Sequence, residues 1–220
     1  TIQGELETAV SRIAGKERVV IYGSGRTDAG VHALGQVFAF EMEWRHTEHE
    51  LLRAINSCLP TDIVVKALNL ALAEFDPRRS ARWRSYQYRI YSAPIRSPLK
   101  MRRSWHVKVE LDLEAMKSGA EYLVGEHDFA SFGRAPDKVG HTVRTIRGLE
   151  CRLDDNLLII DIEANAFLYR MVRSIVGTLY MVGVGSWKSN VVEEILQACD
   201  RNRSGPLAPA QGLTLTKIEF

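Results

Sequence analysis

The sequence predicts an α+β protein of two similar halves, each a mostly antiparallel sheet with helices packed on one face. Three observations support this prediction. Segments with apolar residues at helical spacing are interspersed with segments that alternate as strands do. Several predicted strands follow one another directly, as antiparallel neighbours do. A basic segment with Pro94 and Pro98 provides the best boundary, so we assign residues 1–93 and 94–220 to the two halves.

The helices are predicted from apolar residues that recur three and four positions apart. The first helix, residues 2–14, is closed by Gly15, and the second begins at a capping box formed by Thr47 and Glu50. In chain order, the predicted helices span residues 2–14, 47–58, 112–124, 167–183 and 189–200.

The strands are predicted from short runs of β-branched and aromatic residues, and the longest run, residues 82–92, alternates along its length. In chain order, the predicted strands span residues 18–22, 36–42, 62–70, 82–92, 104–109, 142–153, 157–165 and 213–220. Residues 126–141 and 201–212 contain glycine, proline and polar residues and are predicted to be loops.

The composition is that of an ordinary globular protein, with 25% charged residues and a net charge of +2. No apolar run reaches the roughly 20 residues that a membrane span needs, and the first 15 residues are too charged for a signal peptide. The three cysteines are widely scattered and form neither a metal-binding nor a disulfide pattern. We therefore expect a cytoplasmic protein with no membrane contact and no bound metal.

Positive charge is concentrated between Arg78 and Arg103, where no acidic residue interrupts a series of arginines and lysines. Trp83 and three tyrosines lie among them. Cationic side chains for phosphates and flat rings for bases are what RNA binding needs. A solvated sheet face with ordinary tyrosines explains the same pattern equally well.

The most informative segment is a glycine-flanked loop, residues 25–37, with the sequence Gly-Arg-Thr-Asp-Ala-Gly-Val-His-Ala-Leu-Gly-Gln-Val. Its only carboxylate is Asp28. Glycines allow the backbone to turn sharply and to approach a ligand closely. We therefore expect Asp28 to act on a ligand that is bound at this loop.

A second candidate residue is Arg173, which lies in a predicted helix that is apolar on all sides. A buried guanidinium keeps its proton and needs a carboxylate or several other acceptors. Asp161 and Glu163 on the preceding strand are candidate partners, and so is Asp28. A pair between Asp28 and Arg173 would fix the direction of the carboxylate, although a purely structural ion pair accounts for the same residues.

Several motifs resemble those of the tRNA pseudouridine synthase A family, and they occur in the order found in the family. They span residues 25–37, 75–81 with 86–90, 123–129, 165–177 and 212–215. The resemblance implies the pseudouridine synthase fold, with a central cleft between the two halves. The chain starts within what resembles the first helix of the family, so we expect the family's opening strand to be missing from the first half.

The resemblance also implies a function: isomerisation of uridine to pseudouridine at positions 38, 39 and 40 of the tRNA anticodon stem-loop. It implies a homodimer that binds the tRNA anticodon arm and uses neither a metal nor an organic cofactor. Asp28 would be the nucleophile and Arg173 would pair with it. Arg26 would enter the base stack and hold the target base out, and Tyr86 would stack on the flipped uracil. The Tyr86 hydroxyl is also a candidate general base.

Two other functions stay open at this point. One is a non-catalytic RNA-binding module of the same fold. The other is a nucleoside hydrolase that uses Asp28, although such enzymes usually need a second carboxylate and none stands out near the loop.

Overall fold

A computed structural model describes residues 1–135 and 140–220 as a mixed α+β protein, with five α-helices and a mostly antiparallel sheet in this part of the chain. The predicted fold class is therefore confirmed. The chain forms two compact units, which we call the first unit (Thr1–Arg26 and Gln36–Ala81) and the second unit (Thr27–Gly35 and Arg82–Phe220). The predicted division into halves after residue 93 stays a prediction, as does the cleft.

The helices agree with the predicted ones to within a few residues at each end. In chain order they are α1 (Ile2–Ala14), α2 (Glu48–Cys58), α3 (Leu113–Glu121), α4 (Met171–Gly183) and α5 (Val191–Ala198). None of them is long and apolar enough to span a bilayer.

The strands agree with prediction in the second half of the chain more closely than in the first. In chain order they are β1 (Tyr22–Gly23), β2 (His32–Ala33), β3 (Phe38–Ala39), β4 (Trp83–Ser92), β5 (Trp105–Val107), β6 (Gly125–Asp128), β7 (Val143–Asp154), β8 (Leu157–Ala164) and β9 (Leu213–Glu219). Strand β6 occupies the start of the predicted loop 126–141, because its backbone pairs with β7. Residues 136–139 of that loop lie outside the described residues.

The first unit is built on α1 and α2, whose apolar faces share a small core. Gly15 ends α1 in the left-handed conformation, and Thr47 and Glu50 form the predicted capping box of α2. The buried residues of this core are Leu6, Val10, Val19, Ile21, Leu51, Ile55 and Val65.

Three strands predicted in the first unit are largely wrong. Only two residues of each of β1 and β3 pair with each other, and the segment 62–70 forms no strand. The apolar alternation itself is real, since Val19 and Ile21 are buried whereas Val20 between them is exposed. A strand also needs the hydrogen bonds of a neighbour, and in this unit the extended segments have few of them.

The second unit contains a seven-stranded sheet in the order β2-β9-β4-β8-β7-β6, with β5 paired to the end of β4. Strand β4 lies between β8 and β9 and is antiparallel to both. Helix α3 packs against α4, α5 and β7, and the apolar side chains of helices and sheet form one core. Helix α4 is mostly buried, as its apolar sequence predicts.

Strand β2 pairs in parallel with β9, His32 opposite Thr214 and Ala33 opposite Leu215. This pairing places residues 27–35, and with them Asp28, at the edge of the large sheet. The loop that carries Asp28 is therefore held by the C-terminal strand, far away in the sequence.

Candidate active site

Asp28 begins a tight turn that depends on a glycine. The carbonyl oxygen of Asp28 accepts a hydrogen bond from the backbone N–H of Val31 at 3.1 Å. Gly30, the third residue of the turn, has a φ of 85°, a conformation that other residues adopt only with strain. The motif residue is a glycine because the turn requires this backbone.

The other end of the loop is fixed to β9. The backbone N–H of Leu34 donates to the carbonyl of Leu215 at 2.8 Å. A Cβ atom on Gly35 would lie 2.4 Å from the carbonyl oxygen of Thr216, so only glycine fits there. His32 adds a contact through Nε2, which lies 2.7 Å from the carbonyl oxygen of Arg102.

The structure brings Asp28 and Arg173 together. The guanidinium donates from NH1 to Oδ2 of Asp28 at 2.5 Å, and the two side chains are only 19% and 13% exposed. The other two candidate partners are engaged elsewhere: Asp161 accepts from Gln87, and Glu163 accepts from Ser85. Of the three acids proposed from the sequence, Asp28 is thus the one that faces Arg173.

A backbone carbonyl holds the guanidinium from a second side. Nε of Arg173 donates to the carbonyl oxygen of Ala208 at 2.7 Å, and the N–H of Ala208 donates back to the carbonyl of Arg173 at 3.1 Å. Arg173 is therefore oriented by α4, by the segment before β9 and by Asp28. The contact with Ala208 could not be predicted from the sequence, because every residue has the same backbone carbonyl.

Tyr86 lies on β4, opposite Ile162 of β8 and Leu215 of β9, and is half-buried. Its ring meets the ring of Phe167 edge to face, with centroids 5.1 Å apart. Burial is the main reason why the pKa of Tyr86 is raised to about 12; the charge of Arg84 lowers this pKa and the charge of Asp28 raises it. The tyrosine therefore keeps its proton at neutral pH.

A hydroxyl that keeps its proton is a weak general base at neutral pH. Phe167 was part of a recognised motif but had no predicted role, and its contact with Tyr86 depends on the fold. The signal that could have found it is an aromatic residue at the start of the predicted buried helix 167–183.

Arg26 is exposed and belongs to the first unit, whereas Asp28 belongs to the second. Its predicted role stays a prediction. The basic segment is heterogeneous: the Arg79 side chain is 90% exposed and Arg82 is exposed, whereas NH1 of Arg84 donates to the carbonyl of Asn165 at 2.6 Å. Some of these arginines are thus solvated, and others connect strands.

The arrangement can stabilise positive charge or form a covalent bond. Oδ2 of Asp28 is held by Arg173, and in residues 1–135 and 140–220 no hydrogen bond reaches Oδ1. An oriented carboxylate with one unengaged oxygen is suited to attack an electrophilic carbon or to face a developing cation. In the same part of the chain, no group of three His, Cys, Asp or Glu side chains is placed to hold a metal ion.

Comparison with known proteins identifies relatives that match this chain over its full length. A family model described as tRNA pseudouridine synthase matches residues 1–78 and 120–220. The tRNA pseudouridine synthase A of Brevibacillus brevis is 40% identical over 220 residues, which cover 100% of this chain and 90% of that protein. The corresponding protein of Fervidobacterium nodosum is 41% identical over 222 residues, with the same coverage. The tRNA pseudouridine synthase A 2 of Bacillus anthracis is 38% identical and covered to 89%.

Proposed function

Because this chain belongs to the tRNA pseudouridine synthase family, an isomerase family, we propose that it isomerises uridine to pseudouridine at positions 38, 39 and 40 of the tRNA anticodon stem-loop. The observation that carries the proposal is the ion pair between Asp28 of the glycine-flanked loop and Arg173 of α4. The pairing explains why a single carboxylate lies in a glycine loop and why a single arginine lies in an apolar helix.

The reaction breaks the bond between N1 of uracil and C1′ of the ribose, rotates the base, and forms a bond between C5 and C1′. The proton on C5 is then lost to solvent, and N1 takes up a proton, so that no atom is gained or lost overall. Because the reacting atoms are hidden in a stem, the target nucleotide has to leave the base stack first. The carboxylate of Asp28 supplies negative charge to the sugar, and its unengaged Oδ1 is the atom that approaches C1′.

Each further residue has one physical role. Arg173 holds the carboxylate through Oδ2 and leaves Oδ1 available to the substrate. Tyr86 offers a neutral ring, held in an edge-to-face contact with Phe167, for stacking on the flipped uracil. Arg26 is exposed, and we propose that it enters the stack and holds the base out. Because the carboxylate is mostly buried, bound substrate would leave little room for water to capture the sugar cation.

The proposal extends to the partner and the assembly. Exposed arginines such as Arg79 and Arg82 supply cationic groups for tRNA phosphates. We propose a homodimer that binds the anticodon arm in the cytoplasm. Sedimentation of the protein alone and with tRNA tests the assembly, and a monomer in both samples would rule out the dimer.

The test of the function is tritium release from tRNA that carries 5-tritiated uridine, because forming the new carbon–carbon bond displaces the hydrogen on C5. We expect release by the wild-type protein, and no release by Asp28→Asn although its tRNA affinity stays within a few-fold. Free uracil without pseudouridine would identify a nucleoside hydrolase instead. Tight tRNA binding without release by the wild type would identify an RNA-binding module.

A further inference from the structure

The segment directly before β9, residues 205–212, runs along α4 in close contact, and we call it the strap. A Cβ atom on Gly177 of α4 would lie 1.6 Å from the carbonyl oxygen of Pro206, so the helix has no room for a side chain at this point. The N–H of Gly205 donates to Oγ1 of Thr178 at 2.9 Å. The start of the strap is thus fixed to the helix that carries Arg173.

Three consecutive residues in the middle of the strap lie next to Arg173, to Tyr88 and to the turn that begins at Asp28. The carbonyl of Ala208 accepts from Nε of Arg173 at 2.7 Å. The carbonyl of Pro209 accepts from the hydroxyl of Tyr88 at 2.8 Å. Ala210 lies beside the turn that begins at Asp28: if Gly30 had a Cβ atom, that atom would lie 3.4 Å from Cβ of Ala210.

Tyr88 is itself held rigidly. It lies on β4 and is fully buried, and its ring packs so closely on Gly212 that an added Cβ there would lie 2.6 Å from Cζ of the ring. Burial raises the pKa of Tyr88 above its ordinary value, and the nearby charge of Arg173 opposes this rise. The hydroxyl is therefore a proton donor at neutral pH, and the guanidinium lies within electrostatic range of it.

The carbonyls of Ala208 and Pro209 belong to two planar peptides that meet at Pro209, whose ring fixes φ and leaves only ψ to rotate. A hydrogen bond from Tyr88 that holds the Pro209 carbonyl therefore restricts the peptide before it and helps to keep the Ala208 carbonyl directed at Nε of Arg173. Nε and NH1 belong to one planar guanidinium, so a partner that fixes Nε also fixes the direction in which NH1 donates. NH1 is the atom that holds Asp28.

We propose that Tyr88 is a positioning residue: by holding the Pro209 carbonyl it aims the guanidinium of Arg173 at Asp28. This inference rests on the proposed function and adds to it a residue that does not touch the substrate. Displacement of a reacting group by a fraction of an ångström is enough to slow a reaction markedly, so the loss of a single distant hydroxyl should be measurable.

The test compares Tyr88→Phe with Tyr180→Phe. Both changes remove one tyrosine hydroxyl. Tyr180 is a partly buried residue of α4 whose ring contacts Trp105, as the ring of Tyr88 also does, so the two variants alter the same part of the core. In single-turnover tritium release, we expect Tyr88→Phe to slow the reaction about tenfold with tRNA Kd within twofold of wild type. Tyr180→Phe should have the same single-turnover rate and the same tRNA Kd as the wild type.

A second measurement needs no catalysis. The Nε–H resonance of Arg173, assigned from its loss in Arg173→Lys, reports directly on the bond to the Ala208 carbonyl. In Tyr88→Phe we expect this proton to exchange with water about tenfold faster, with no change in Tyr180→Phe. Replacement of Tyr88 by 4-fluorophenylalanine fills the volume of the hydroxyl without donating, and it is measured in the same way in case the phenylalanine variant folds poorly.

The outcomes separate the two claims. If the wild type releases no tritium, the proposed function fails, while the exchange rate still tests the role of Tyr88. If the wild type is active and Tyr88→Phe keeps both its rate and the Arg173 exchange rate, the positioning role is overturned. A slower reaction with an unchanged Arg173 signal would also overturn it, because the hydroxyl would then act by another route.

Discussion

The change from Arg173 to Met tests the central pair most directly, because it removes the cation and leaves the carboxylate in place. The guanidinium donates to Oδ2 of Asp28 at 2.5 Å and to the carbonyl of Ala208 at 2.7 Å. Both acceptors would lose their partner, and the Asp28 side chain has only 19% of its surface in contact with water.

The magnitude follows from this burial. Removing one member of a buried ion pair costs about 3–5 kcal/mol, and the remaining exposure of Asp28 places it near the lower end of that range. The unpaired Ala208 carbonyl adds about 1 kcal/mol. We therefore expect Arg173→Met to lower the free energy of unfolding by about 4 kcal/mol. A second change, Asp28→Asn, removes the unpaired charge and should recover about 2 kcal/mol in that background.

Urea denaturation of the wild type, the two single variants and the double variant gives the coupling energy between the side chains. The ion pair of Lys117 and Glu114 is the control, since its side chains are 43% and 79% exposed, and we expect a coupling below about 1 kcal/mol there. If the effects at Asp28 and Arg173 add to within about 0.5 kcal/mol, the two groups do not depend on each other and the reasoning is refuted.

Three further predictions concern other residues. Burial raises the pKa of Tyr86 from 10.0 to about 12, so the folded protein binds this proton more tightly than the unfolded chain does. The free energy of unfolding should therefore fall as the pH rises from about 10 to 12. In a pH series of denaturation curves, the Tyr86→Phe variant should lose less stability over this range than the wild type. Arg79→Gln with Arg82→Gln should make the slope of log affinity for tRNA against log salt shallower by about 2, measured by filter binding. Gly30→Ala should lower the free energy of unfolding in urea by about 1–2 kcal/mol, because its φ is 85°.

Each of these has an outcome that contradicts it. Equal loss of stability in wild type and Tyr86→Phe above pH 10 would mean that the hydroxyl is solvated. A salt slope that does not change would mean that the two arginines do not reach phosphates. A loss below about 0.5 kcal/mol in Gly30→Ala would mean that the turn does not need a glycine. Gly15→Ala is the control, because Gly15 has a φ of 61° at the end of α1 and should show a similar loss of stability.

The sequence was sufficient to predict the features that local chemistry decides. The capping box of Thr47 and Glu50, the glycine that ends α1 and the buried character of α4 all follow from residue type and spacing, and all are present in the fold. The acid in the glycine loop and the arginine in the apolar helix were found in the same way. Arg173 is conspicuous because its apolar surroundings along the chain do not suit a charge, and Asp28 because it is the only carboxylate of a glycine-flanked loop.

Strands were predicted less well, because a pattern does not supply a neighbour. The segments 18–22 and 62–70 have the apolar content of strands, but the first pairs at one residue and the second at none. Strand β6 shows the reverse case: its sequence, Gly-Glu-His-Asp, is a poor strand sequence, but β7 lies beside it and supplies the hydrogen bonds.

The tertiary structure alone decided which acid faces Arg173 and what else holds it. Asp161 and Glu163 are nearer in sequence, but the parallel pairing of β2 with β9 carries Asp28 to the helix across 145 residues. The carbonyls of Ala208 and Pro209 take part although a backbone oxygen is identical in every residue. Residue type shows that a charge needs a partner, but only the path of the chain determines which atoms are near enough to be that partner.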